Sequence, residues 1–384
     1  MIKAFVQGTA HWNTPIPTNQ HYVVSYLASL MDVTYSESIK LRRPPISLSE
    51  AKRITRRLRS RQTTESQNRH VPEHLKIIST PAIPFHGKLG RVINQALIGK
   101  TLLKNAEGSN LFWTYTPTTY GLENICHANV YHCVDLYETI QGINPKVIRE
   151  NEKRLAEKGV TAIGSSKPVV EHLKTQGFQR VEFWPNVADV SVFIDETRST
   201  EKLRNGVVFA GNLTSEKLDE EILIKVAKVC QSKNVPFTLI GPLDVGAGNF
   251  TNSLNQLLKL GVRYLGPMSL SEVAQELHCH AIGIIPYKNN SYNFGVSPLK
   301  LYEYLASGLS VVSTPLPSIK MVEDTYKPDL VVSETNDFVG NVESLIDSGH
   351  SDQRVNHRIA IAKENSWDKR YKEINSLLHD LNVL

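Results

Sequence analysis

The sequence predicts an α/β protein built from two doubly wound, Rossmann-like domains, and three observations predict it. Short apolar runs alternate with amphipathic stretches from Ile2 to Trp184. A polar, charged run, Ile194 to Arg204, interrupts them. The alternation then restarts at Gly206 and continues to Val332. Strands alternating with helices argue parallel sheets covered on both faces, and two such halves joined by a linker would face each other across a cleft. The expected domains are residues 1–192 and 193–364. A closing helix in 365–384 carries Tyr371, Ile374, Leu378 and Leu381 on one face.

Taken in order, Ile2 to Gly8 reads as the first strand, running into the polar and aromatic loop Thr9-Ala10-His11-Trp12-Asn13. Ligands of doubly wound sheets bind beyond the carboxyl ends of strands, so this loop is a candidate binding edge. A helix follows with Val23, Leu27, Leu30 and Met31 on one face. Leu75–Ser79, Leu111–Tyr115, Val130–Val134, Val160–Ile163 and Val181–Trp184 are further strands. Leu89–Leu103 and Val147–Lys158 are helices, and another opens at Pro168. The second half supplies Gly206–Ala210, Phe237–Ile240, Val262–Leu265, Ala281–Ile285, Leu309–Val312 and Leu330–Val332.

Composition bounds the class. The 384 residues are 41% hydrophobic and 21% charged, as in a soluble globular chain, with a formal net charge of +5. No run of 18 apolar residues is present, and the start lacks a secretory cleavage pattern, so a cytoplasmic location is expected. Four cysteines without paired spacing fit a reducing compartment. Cys126-His127 and His132-Cys133 match no common zinc spacing, and adjacent strand residues point to opposite faces, so they read as structural. Ten basic residues between Lys40 and Arg69 face only Glu37, Glu50 and Glu65. Residues 40–61 could hold an anionic membrane surface peripherally, or form a solvated loop. Without interleaved aromatic residues they are not expected to bind nucleic acid.

The most informative stretch is Ser297-Pro298-Leu299-Lys300-Leu301-Tyr302-Glu303-Tyr304-Leu305-Ala306-Ser307-Gly308. Ser297 reads as an N-cap and Pro298 as the first helical residue. Lys300 in the first turn makes sense if an anion such as a diphosphate lies above it, and Glu303 could then accept from a ribose diol. The stretch resembles the nucleotide-sugar helix of GT-B-fold glycosyltransferases of the group 1, family 4-like kind. Pro185-Asn186-Val187-Ala188-Asp189 resembles that family's junction between domains. Gly211-Asn212-Leu213-Thr214-Ser215-Glu216-Lys217 resembles its diphosphate loop, with Asn212 in place of the usual arginine.

The resemblance implies a GT-B fold whose last helix crosses back to the first domain, and a hexosyltransferase-type activity. Gly211, Asn212, Lys217, Ser297, Pro298, Leu299, Lys300 and Glu303 would bind the donor. Arg263 and Tyr264 would lie beside the nucleobase, and Tyr287 at the sheet edge. Trp12 and Asn13 would face the acceptor. Retaining members carry a further glutamate where Gly295 stands here, which favours inversion. Asp135, in Val134-Asp135-Leu136-Tyr137-Glu138 at a strand's carboxyl edge, is the candidate general base, with Glu138 and His11 behind it; alternatively Asp135 caps the turn at Tyr137. The chain lacks an Asp-x-Asp pair, so a metal-independent reaction without cofactor is expected. The expected function is transfer from a nucleotide diphosphate sugar, UDP-linked, to a hydroxyl of a glycan or lipid-linked acceptor. A GT-B epimerase, or a nucleotide-sugar-binding module without catalysis, are the alternatives. Turnover of the donor without acceptor marks the first, and binding without turnover the second.

Overall fold

The computed structural model describes residues 2–14, 17–37, 69–80, 88–194, 204–243, 250–349 and 352–384. The basic stretch 40–61 and the loop 81–87 lie outside the described residues, as does most of the linker. Contacts divide the chain into Met1–Trp184 with Glu373–Leu384, and Pro185–Lys372. The dividing points are therefore 184/185 and 372/373, against the 192/193 and 364/365 read from the sequence.

The first unit is a seven-stranded parallel sheet in the order β3-β2-β1-β4-β5-β6-β7. Its strands are β1 (Lys3–Gln7), β2 (Asp32–Ser36), β3 (Leu75–Ile78), β4 (Leu111–Thr114), β5 (Ala128–Cys133), β6 (Thr161–Gly164) and β7 (Val181–Phe183). β2 has no counterpart in the sequence reading. Asp-Val-Thr-Tyr-Ser is only half apolar, yet it pairs with a strand on each side. Order reverses between β1 and β4, the place where such sheets bind ligands. The helix Asn19–Leu30 buries Val23, Val24 and Leu27 but leaves Leu30 exposed, contrary to expectation. Helical residues run continuously from Lys88 to Ala106 as Lys88–Asn94, a π-turn Gln95–Gly99 and Lys100–Ala106. The closing helix, Trp367–Asp380, buries Ile374, Leu377 and Leu378, while Tyr371 and Leu381 are half-buried.

The second unit is a six-stranded sheet in the order β10-β9-β8-β11-β12-β13, also parallel. These are β8 (Val207–Ala210), β9 (Phe237–Ile240), β10 (Arg263–Tyr264), β11 (Ile282–Ile285), β12 (Ser310–Ser313) and β13 (Leu330–Val332). Here the order reverses between β8 and β11. Arg204, read as the end of a linker, is buried and donates to the Ser307 carbonyl, so it belongs to the folded unit. Near β13, fully buried Asp329 accepts from Arg358 Nε (2.9 Å), Arg354 Nη2 (2.6 Å) and His357 Nδ1 (2.7 Å). Burial works against its charge, but these partners outweigh it and hold the carboxyl below its usual range.

Two consequences are measurable. Asp329→Asn leaves Arg358, only 5% exposed, without its counter-charge. It should cost about 3–5 kcal/mol, read from the urea midpoint; a loss below about 1 kcal/mol would mean the cluster is not a structural clip. In the first unit, buried Glu152 pairs with His172 Nε2 at 2.8 Å and accepts from the Tyr131 hydroxyl at 3.0 Å. Burial opposes the charge on His172, but Glu152 and then Glu138 outweigh it and raise its pKa above the ordinary 6.5. The raised group contributes stability that is complete below pH 6.5 and is lost as pH rises through the folded value. Wild-type stability relative to His172→Gln should therefore decline above pH 6.5; a pH-independent difference would remove this role.

Candidate functional site

The second unit gathers most of the expected residues at the reversal between β8 and β11. β8 ends at Ala210, whose N–H donates to the Tyr304 hydroxyl at 2.8 Å. Tyr304 is fully buried in the helix Lys300–Ala306, and it fits against the sheet because Gly283 of β11 has no side chain: a Cβ there would sit 2.4 Å from the tyrosine ring. The helix is thereby fixed beneath the ends of both strands.

Gly211 comes next, with a φ of +154° that side chains rarely tolerate. A Cβ there would fall 2.1 Å from Lys300 Cε, so the lysine's stem crosses the glycine. Its ammonium lies 5.8 Å from the centre of the Phe209 ring and hydrogen-bonds the Tyr287 hydroxyl. Lys217, at the far end of the same loop, places its ammonium 5.2 Å from the Tyr287 ring centre and 5.5 Å from that of Tyr292. Two cations thus flank one tyrosine. Burial works to raise the Tyr287 phenol, but Lys217 and Lys300 outweigh it and hold it below its ordinary value. Burial raises the Glu303 carboxyl, with Lys300 opposing.

The loop 211–217 is held by the chain after β11. Lys288 N–H donates to the Lys217 carbonyl at 2.9 Å, Lys288 Nζ to Ser215 O at 2.7 Å, and Asn290 Nδ2 to Glu216 O at 2.8 Å. Asn293, fully buried, donates to both Lys217 O (2.9 Å) and Lys288 O (2.8 Å). Sequence reasoning missed Asn293, Tyr292 and Phe209. Asn290 and Asn293 form a short Asx-capped turn, Asn293 N–H to Asn290 Oδ1 at 2.8 Å, which their spacing could have signalled.

Not every expectation holds. The helix begins at Lys300 with Leu299 as N-cap in helical conformation, and Glu303 N–H donates to Leu299 O at 3.1 Å. Ser297 does not cap it. The Ser297 hydroxyl instead accepts from Asn186 N–H at 3.2 Å, and its carbonyl from Asn186 Nδ2 at 2.8 Å. A tertiary partner has taken the hydroxyl that local sequence assigned to the helix. Pro298 is buried behind it. Asn212 is exposed on the loop. Tyr264 donates to Gly241 O at 3.0 Å, and Gly241 packs on Gly211, which ties the end of β10 to the site. Arg263 is exposed and pairs with Glu276 at 3.4 Å.

The first unit places its candidates at strand ends on separate loops. After β1, Gln20 accepts from Thr9 N–H at 2.7 Å, and Arg69 donates to the carbonyls of Trp12 and Thr14 at 3.1 and 3.0 Å. His21 Nδ1 accepts from Thr18 N–H at 3.0 Å, so its Nε2–H is the donor toward the His11 and Trp12 carbonyls, 3.1 Å each. The Trp12 side chain is buried against His21 and Tyr35, whereas Asn13 is exposed. Trp12 therefore packs within its own unit. The His11 imidazole is 52% exposed, with Nδ1 3.3 Å from Glu37 Oε2, while Glu37 Oε1 accepts from Trp12 N–H at 2.8 Å. Sequence reading counted Glu37 only as an offset to nearby basic charge.

Asp135 follows the end of β5, half-buried, with its carbonyl accepting from Cys133 Sγ at 3.2 Å. The next turn, Tyr137–Thr139, has Leu136 at its N-cap, so Asp135 does not cap it. Glu138 is engaged by Arg149 at 2.6 Å. His132 is boxed by Trp113, Tyr115 and Trp184, a packing role for the His-Cys pair.

Residues 204–348 match the family described as Glycosyl transferases group 1. TuaH of Bacillus subtilis (strain 168), provisionally named a teichuronic acid biosynthesis glycosyltransferase, is 28% identical over 264 residues, which cover 64% of this chain and 65% of TuaH. The chain thus matches less than two thirds of that relative's length. Among solved structures, Anabaena Alr3699/HepE in complex with UDP is 15% identical with a TM-score of 0.68, covering 99% of this chain and 100% of that one. Sucrose-phosphate synthase from Thermosynechococcus elongatus is 13% identical with a TM-score of 0.67, covering 99% of each. These likenesses show the fold across nearly the whole chain. The chain has the GT-B fold, and its match to the group 1 glycosyl transferases covers residues 204–348.

Proposed function

We propose that the chain is a glycosyltransferase that takes a sugar from a UDP-linked donor and passes it to a hydroxyl of a glycan or lipid-linked acceptor. One observation carries the reading: Lys217 and Lys300 converge on Tyr287 at the ends of β8 and β11, around a glycine that leaves room only for the lysine. Two fixed ammoniums in a half-buried site suit a diphosphate, whose charge grows as the bond to the sugar breaks. The site supplies that charge from side chains, so the reaction in this reading needs no metal. Glu303 would accept from the ribose hydroxyls, and Tyr264 would lie by the base. HepE has also been crystallised with UDP-glucose, which supports the choice of nucleotide.

The acceptor oxygen attacks the anomeric carbon, the bond to the nucleotide breaks, and a base takes the acceptor's proton. Asp135 is our first assignment, because it is the carboxylate at the end of β5 that no helix cap explains. Gly295, where the retaining pattern has a glutamate, fits inversion. The His11–Glu37 pair supports a second assignment. A carboxylate on Nδ1 makes Nε2 the basic nitrogen of the ring, on a loop at the β1–β4 reversal.

Calorimetry tests the donor site. Lys300→Ala should weaken UDP binding by about 1.5–3 kcal/mol and barely change uridine binding, whereas Glu303→Ala should weaken both. Gly211→Ala should copy Lys300→Ala by displacing the lysine. Equal losses for UDP and uridine in Lys300→Ala would refute the assignment. Turnover separates the two bases. Asp135→Asn should lower kcat about 100-fold or more with donor affinity unchanged; near-normal turnover there together with a comparable loss in His11→Gln would move the role to the histidine. A product that keeps the donor's anomeric configuration would sink both.

A further inference from the structure

The helical run from Lys88 to Ala106 has two faces, and only one of them has work in the fold. Asn94, Ile98, Leu102 and Ala106 recur every four residues and are buried, the last three among Phe5, Phe112 and Leu122. The opposite face is apolar and open. Val92 is 67% exposed, Ile93 39% and Leu97 58%, with Ala96 exposed between them. These four share one side of the helix, at i, i+1, i+4 and i+5. An ordinary solvated face would carry charges there, and several adjacent large apolar side chains mark a surface that meets something. One and two turns further on, the same side presents Lys100 and Lys104, both exposed. They also line a groove of about 910 Å³ with Lys3 and Lys76, four lysines against three carboxylates.

We propose that this face docks on an anionic lipid bilayer, with Val92, Ile93, Ala96 and Leu97 entering the head-group boundary and Lys100 and Lys104 meeting lipid phosphates. An apolar patch continued by lysines on one helix side matches a surface that is apolar within and anionic at its rim. The inference is independent of the donor site. It also rests on an element other than residues 40–61, so the two can be told apart.

The test is co-sedimentation of the full chain with vesicles of phosphatidylcholine alone or mixed with phosphatidylglycerol, at low and high salt. Wild type should bind the anionic vesicles and bind less as salt rises. Val92→Glu with Leu97→Glu should weaken binding about tenfold or more, with thermal unfolding unchanged because both side chains lie outside the core. Lys100→Glu with Lys104→Glu should remove the preference for anionic lipid. The proposal is overturned if wild type ignores anionic vesicles, or if Val92→Glu with Leu97→Glu binds as well as wild type. It is overturned too if only replacement of Arg56, Arg57 and Arg59 by serine abolishes binding. Light scattering that shows a dimer broken by Val92→Glu with Leu97→Glu, with vesicle binding intact, would assign the face to a second copy.

Discussion

No side chain can stand at position 211, because the stem of Lys300 already occupies that volume. The second unit's site follows from this exclusion. The lysine can reach Tyr287 and Phe209 only across a bare backbone, and the backbone can stay bare only because a glycine ends the run out of β8. Tyr304 then sets where the helix starts, and Gly283 lets Tyr304 seat. Four residues from three segments determine one another, which is how packed interiors make geometry unique.

The parts of this that were legible in the sequence are those encoded locally. Apolar strands such as Ile282–Ile285 and Ser310–Ser313 stand out as short runs between turn residues, and Gly211, Lys217, Lys300 and Glu303 occupy spacings that a motif can hold. Strand β2 was illegible because burial on its two sides comes from pairing partners, not from its own composition. Ser297 misled for the opposite reason. Its local signal for a cap was sound, but Asn186, far away in sequence, offers the hydroxyl a better fixed donor. Arg204 looked like linker because a charged residue beside a polar run has no visible partner until Ser307 folds against it. The turn at Asn293 had a signal in its spacing from Asn290, but its two acceptors did not, since main-chain carbonyls carry no residue identity.

Charge is handled differently at two places within the second unit. Around Asp329, arginines and a histidine converge on one carboxylate with no solvent access, a fixed clip in which removing either sign leaves the other stranded. Around Tyr287 the balance is left positive, with two ammoniums facing a phenol and one partly exposed carboxylate nearby. Two cations held against one phenol, in the arrangement proposed above as the donor site, suit an anionic ligand.

The tautomer of His21 has a consequence for the loop it supports. Its Nδ1 is committed as an acceptor to Thr18 N–H, and its pKa is lowered, first by burial and then by Arg69. A second proton would have to displace a main-chain hydrogen bond inside the fold. The imidazole therefore stays neutral as the medium is acidified through neutrality, and its grip on the His11 and Trp12 carbonyls is insensitive to that change. His11, on the outside of the same loop, is thus mounted on a support that does not titrate with it. The loop therefore carries His11 and Glu37 in one place across that range.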